Sequence, residues 1–218
     1  MFRCARRTLV AIATLWSVVA AHTVIVYPGW RGNNLHQNGT TPSGEVPTGA
    51  LGMNWDKETE TYNFPYGQQW MYPCGGMPTS TNRTRWPIHG GALSFQPGWF
   101  PGHANALVYI NMGVGTEPLN MSLNMVPPFQ IVGPSNEYYN GTVCLPQVPL
   151  PKGLEPKVGD HATIQVIETA QHGAALYSCV DIIFDEPQNV AEVNETNCFN
   201  STEAGENIEF NLVFATTS

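Results

Sequence analysis

The amino-acid sequence predicts an all-β protein, a two-sheet sandwich with long loops. Charged residues are only 12% of the chain, whereas glycine (21) and proline (18) are abundant, a balance that suits turns and strands better than helices. Several short apolar runs, rich in Val, Ile, Phe and Tyr, are separated by Gly, Pro, Asn and Ser, as in a sandwich. No internal repeat and no low-complexity domain interrupts this pattern.

Residues 1–21 read as a secretory signal. Arg3, Arg6 and Arg7 form a basic start, residues 9–20 are almost wholly apolar, and small side chains at Val19 and Ala21 suit the cleaving peptidase. That apolar core falls short of the about 20 residues a membrane helix needs. Cleavage after Ala21 makes His22 the first residue of one mature domain, 22–218. Formal charge is −8 overall and becomes −11 once the three arginines are lost, which argues against nucleic acid and anionic membranes as partners.

The mature chain begins with a strand, His22-Thr-Val-Ile-Val-Tyr27, stopped by Pro28-Gly29. Sheet pairing there holds still a terminus that would otherwise fray. Residues 33–69, rich in Gly, Thr, Asn and Pro, read as a surface loop or insertion, with at most a short turn near Asn54-Trp55-Asp56. The aromatics of this region, Trp70 and Tyr72 included, are expected to pack down on the sandwich, with a flat binding surface as the alternative. Tyr72-Pro73-Cys74-Gly75-Gly76 is a compact turn. Residues 92–95, 107–110, 121–126, 129–132, 163–168, 177–184 and 209–214 read as strands, and 97–102 as a loop that delivers His103. The acidic stretch 192–206 reads as a loop tied down by Cys198.

Cys4 leaves with the signal. Cys74, Cys144, Cys179 and Cys198 remain, an even number in a secreted chain and therefore two disulfides, for which sequence alone permits three connectivities. Thiolate metal binding fits poorly, since no CxxC spacing exists. Six Asn-X-Ser/Thr sequons, at Asn38, Asn82, Asn120, Asn140, Asn194 and Asn200, fit a glycosylated extracellular protein.

An N-terminal histidine has chemical consequences. Its α-amine and ring Nδ1 close a six-membered chelate on one metal ion. A second histidine completes three nitrogens in a T, which suits the tetragonal preference of Cu(II). The ordinary pKa of the amine, about 7.7–8.0, means that copper displaces only a loosely held proton. His103 and His89, each at a turn, compete for the second position, while His36, His161 and His172 receive no role. Asp181 lies in an apolar strand and must be paired, hydrogen-bonded or metal-bound, because burying it bare costs several kcal/mol. A salt bridge to Arg31 or Arg85 is the alternative to a ligand role.

The series His22, Tyr27-Pro28, Arg31-Gly32, Pro73-Cys74-Gly75-Gly76, Arg83-Thr-Arg-Trp86-Pro87, Gly90-Gly91, His103 and Tyr177-Ser-Cys179-Val-Asp181 resembles one fungal family over nearly the whole mature chain. It is the Bim-type family of extracellular copper-acquisition proteins, similar to lytic polysaccharide monooxygenases. The resemblance implies an immunoglobulin- or fibronectin-III-like sandwich with a histidine brace at one end and one copper ion. It implies His22 (amine and Nδ1), His103 and Asp181 as ligands. With Cys74 and Cys179 both flanking the brace region, those two are paired, leaving Cys144 with Cys198. The family is generally not associated with polysaccharide cleavage, and many members carry a GPI anchor. This sequence departs in its insertion after Gly32, its loop before His103, and the lack of a visible GPI tail.

The resulting expectation is a secreted or cell-surface copper(II)-binding protein in copper acquisition, not an enzyme. A copper transporter or reductase is the expected partner, and no oligomer is implied. Two rivals stand beside it, a copper-dependent polysaccharide monooxygenase and a metal-free adhesion or carbohydrate-binding sandwich.

Overall fold

The computed structural model describes residues 23–31, 54–56, 61–63, 70–98, 102–132, 142–200 and 211–214. Its strands are β1 (Val24–Tyr27), β2 (Asn54–Asp56), β3 (Thr61–Asn63), β4 (Thr84–Pro87), β5 (Gly91–Gln96), β6 (Asn105–Val114), β7 (Leu123–Asn124), β8 (Phe129–Val132), β9 (Val143–Val148), β10 (His161–Ala170), β11 (Ala175–Asp185) and β12 (Asn211–Phe214). Helical structure among the described residues is confined to single turns at Cys74–Gly76 and Pro187–Asn189. No helix there is long and apolar enough to cross a membrane.

One sheet has the order β1-β5-β9. The larger sheet runs β12-β8-β6-β10-β11-β4, with β7 also paired to β6. Within it β4 lies parallel to β11, whereas β10 is antiparallel to both β6 and β11. The two sheets close on one core. Ile25, Leu93, Phe95, Val143 and Val148 from the smaller sheet meet Val108, Ile110, Ile164, Val166, Val180 and Ile182 from the larger one, all essentially inaccessible to water. Each such side chain contributes roughly 1.5–3 kcal/mol through removal from water. Trp86 is fully buried among them, and its indole N–H donates to the Ala92 carbonyl at 3.2 Å, so the one polar atom of the ring is satisfied.

Alternation along the strands explains the layering. In β10, Ala162, Ile164 and Val166 enter the core, and the next members of that series are Glu168 and Ala170. Thr163 and Gln165 point to the opposite, outer face, as Cys179 and Asp181 do in β11. That outer face is also buried, because the segment around Cys74–Gly76 folds over it. The Cys74 amide donates to Gln165 Oε1 at 3.0 Å, and a Cys74–Cys179 disulfide fastens the segment to β11. A second disulfide, Cys144–Cys198, ties the chain after β11 to β9.

Several local expectations are corrected. Residues 54–56 and 61–63, inside the stretch read as a loop, pair as the hairpin β2–β3. The stretch 121–126 holds only the two-residue β7, since Pro127-Pro128 supplies no amide donors to continue it. Two further strands, β4 and β9, were not foreseen, and each contains a proline. Trp70 and Tyr72 do not pack down as expected: both are about half exposed, at 53% and 52%. Tyr72 leans edge-on against Tyr177, with ring centroids 5.6 Å apart.

Candidate metal centre

The candidate centre lies where β10 runs out of hydrophobic partners. Glu168 belongs to the inward series of that strand and is fully buried. Its carboxylate accepts the Gly98 amide, 3.0 Å from Oε2 and 3.3 Å from Oε1, so the chain leaving β5 is stitched to β10. The other partner of Oε1 is His103 Nδ1, at 2.9 Å, from the residue that leads into β6. His103 is also fully buried. Donation from Nδ1–H to a carboxylate leaves the lone pair of the ring on Nε2 and fixes its direction.

A second imidazole stands at that atom. His172 Nε2 lies 3.0 Å from His103 Nε2, and the rings meet edge-on with centroids 4.9 Å apart. His172 is exposed and sits at the tip of the β10–β11 turn, which the Ala170–Ala174 and Gly173–Ala170 backbone bonds close. Gly102 makes room for it. A Cβ there would come within 2.5 Å of His172 Cδ2, and the φ of +93° already disfavours any side chain. Burial, the largest influence, and the neighbouring His103 lower the pKa of His172; its own backbone hydrogen bond and Glu168 oppose this without reversing it. The ring is thereby favoured in its neutral, metal-competent form.

Asp181 is not part of this group. It pairs across the hairpin with Thr163, five register positions from the Glu168–Leu176 pair, or about 17 Å along the strands. It also points to the opposite face. Its carboxylate is filled by Arg31, whose Nε and an Nη donate at 2.8 and 2.6 Å, by Thr163 Oγ1 at 2.6 Å, and by the Ser80 amide at 2.8 Å. The structure thus gives Asp181 an ion pair with Arg31, the alternative to the ligand role expected for it. Burial, the strongest influence on Asp181, would raise its pKa. The Arg31 and Thr163 hydrogen bonds, the Arg31 charge and the Ser80 N–H outweigh it and hold the group below the usual carboxylate range.

The remaining histidines are scattered. His89 lines a separate surface cleft of about 550 Å³ with Tyr27, Gly91, Gln147 and Glu192. His161 Nδ1 is 2.9 Å from Thr116 Oγ1, beside the start of β10. His22 and His36 lie outside the described residues. Of the sequons, Asn82, Asn120, Asn194 and Asn200 are exposed, and Asn38 and Asn140 lie outside the described residues. Sequence reasoning passed over Glu168 and His172. The available signal was a charged residue at an inward position of an alternating strand, followed four residues later by a turn histidine.

The chemistry of the donor set suits a borderline transition metal, copper among them. Among the described residues no three His, Cys, Asp or Glu side chains converge on one point, so the two imidazoles need a donor from elsewhere. Oriented imidazole nitrogens are good donors to Cu(II), and a carboxylate behind one of them raises its basicity.

Comparison with known proteins gives this arrangement a context. The model of the BIM1-like copper acquisition factor family matches residues 20–203. A lytic polysaccharide monooxygenase-like protein of Emericella nidulans is 63% identical over 198 residues, covering 91% of this chain and 78% of that protein. A lytic polysaccharide monooxygenase-like protein X325 of Aspergillus fumigatus is 62% identical, covering 91% of this chain and 79% of its own. Among solved structures, a chitin-binding domain from Burkholderia pseudomallei overlays 76% of this chain and all of its own with a TM-score of 0.41 and 13% identity.

Proposed function

From its place in the BIM1-like copper acquisition factor family, to which this chain belongs, we propose a secreted copper(II)-binding protein that holds its cargo in a histidine brace and does not cleave polysaccharide. In this reading residues 1–21 are removed, the mature domain starts at His22, the exposed sequons carry glycans, and a transporter or reductase at the cell surface receives the metal.

One observation carries the reading. In the β1–β5 pair, Val24 faces Gln96 and Ile25 faces Phe95, and the Thr23 hydroxyl donates to the Gln96 carbonyl at 3.0 Å. From β5, the strand that β1 pairs with, the chain runs on from Gln96 to Gly98. The Gly98 amide is the one bound to Glu168, which holds His103. β1 therefore pairs with the strand whose exit is tied to the carboxylate that orients His103, and an N-terminal amine and imidazole joined to His103 would make the donor set that tetragonal Cu(II) favours.

The residues of this chain divide the work. Glu168 fixes the tautomer and direction of His103, while Thr23 and the β1 pairing hold the terminus in place. His172 crowds the open side of His103 Nε2, where a co-substrate would need room. That crowding favours holding copper over oxidising a polymer.

Electron paramagnetic resonance with one equivalent of Cu(II) tests the reading, comparing correctly processed protein with a form carrying one extra residue before His22. A single axial, nitrogen-rich spectrum that is lost in the extended form is expected, together with no oxidised products from chitin or cellulose. An identical spectrum in both forms would remove the brace, and oxidised oligosaccharides would replace holding by catalysis.

A further inference from the structure

We infer that His172 is itself a copper donor, coordinating the same ion as His103 from a cis position. The inference rests on the copper-holding reading above but uses only described residues. Two nitrogens bonded to one metal at about 2.0–2.1 Å and at right angles lie about 2.8–3.0 Å apart. His103 Nε2 and His172 Nε2 stand 3.0 Å apart. Both rings present the same atom, and the carboxylate behind His103 holds Nδ1, which leaves Nε2 as that ring's donor.

The surroundings are built for that pairing. Gly102 lacks the Cβ that would strike His172 at 2.5 Å, so the ring rests directly on the backbone that leads into His103. The turn carrying His172 is also anchored to the start of β6, through the Gln171 amide and the Asn105 carbonyl at 3.1 Å. In the metal-free protein the same separation accommodates an N–H···N hydrogen bond. Coordination exchanges it for a metal bond, with the His172 proton moving to Nδ1 through the solvent that this exposed ring meets. Buried His103 is the fixed donor, and exposed His172 is the one an incoming acceptor of copper can reach and replace.

The test uses Cu(II) alone on the full processed protein, its His172→Ala and His172→Gln variants, and the form extended before His22. Pulsed electron paramagnetic resonance counts coordinated imidazoles through their remote nitrogens, and chelator competition gives affinity. His172→Ala is expected to remove one imidazole from the count and weaken Cu(II) binding by at least ~10-fold. His172→Gln keeps an amide N–H that can hydrogen-bond to His103, and it is expected not to restore either readout. Full rescue by glutamine would make His172 a hydrogen-bonding neighbour and overturn the inference, as would an unchanged imidazole count in the alanine variant. Because His172 is an exposed turn residue, equal thermal midpoints for the variants are expected. The extended form separates the two readings. Lost binding there with an unchanged His172→Ala spectrum keeps the brace and sinks His172, whereas unchanged binding there with a lost imidazole in His172→Ala does the reverse.

Discussion

Two carboxylates on one hairpin, Asp181 on β11 and Glu168 on β10, lie in opposite environments. Asp181 faces outward from the large sheet and is saturated by a two-pronged guanidinium, a hydroxyl and an amide. Glu168 faces inward at the end of the core and meets one amide and one imidazole. The saturated group has no valence left to offer a metal. The other passes its influence through a ring to an atom that faces a second, exposed ring. Burial of a charge is therefore no guide to function; the partner's remaining capacity is.

The comparison breaks most sharply at Arg31. Its removal leaves a buried carboxylate with the Thr163 hydroxyl, the Ser80 amide and only the distant Arg83 guanidinium, at 4.0 Å, so Arg31→Ala is expected to lower the unfolding free energy by about 3 kcal/mol in a urea titration. The folded fraction should bind Cu(II) with an unchanged spectrum. A changed spectrum would return Asp181 to the metal site.

Gly102→Ala probes the other carboxylate's end of the molecule. The new methyl meets the His172 ring and the backbone is held at φ +93°, so a stability loss of about 1–3 kcal/mol is expected. Unlike Arg31→Ala, it should also alter the copper spectrum by displacing His172. A normal spectrum with a normal melting point would show that the ring is not seated on this glycine.

The smallest effect is the pH dependence of the Asp181 pair. Its folded pKa lies below the ordinary value, so the unfolded chain takes up the proton first as acid is added. The pair's stabilisation is complete above about pH 4, the unfolded range, and disappears as pH falls through the folded value. Asp181→Asn should flatten that part of a stability-against-pH curve measured by urea denaturation. A slope unchanged in the variant would assign the acid sensitivity elsewhere.

The all-β sandwich was legible because alternation and turn residues are local signals. β6, β10 and β11 declare themselves through Val108-Ile110, Ile164-Val166 and Val180-Ile182. Strands β4 and β9 were hidden by their prolines, which suit the sheet edges both occupy. At the candidate centre, the residues alone left His103 and His89 as rivals and the family resemblance chose His103, while Glu168 and His172 were missed. Their partnership joins residues 65 and 69 positions from His103, a distance no local pattern spans. Asp181 was half legible for a related reason. Its burial was readable from the strand and Arg31 was one of two partners offered for it, but the choice between Arg31 and Arg85 turns on a contact across 150 residues.

The amide of Gly98 offers a vantage point on the whole assembly. It is a single backbone proton, buried at the seam between the sheets and bound to the carboxylate that orients His103. Its exchange with deuterium requires that seam to part. A protein whose seam is tightened by cargo should lose this label more slowly than the empty form, while the amides around Asp181 keep their own pace. Loading would then be readable from one clock inside the fold, without observing the metal at all.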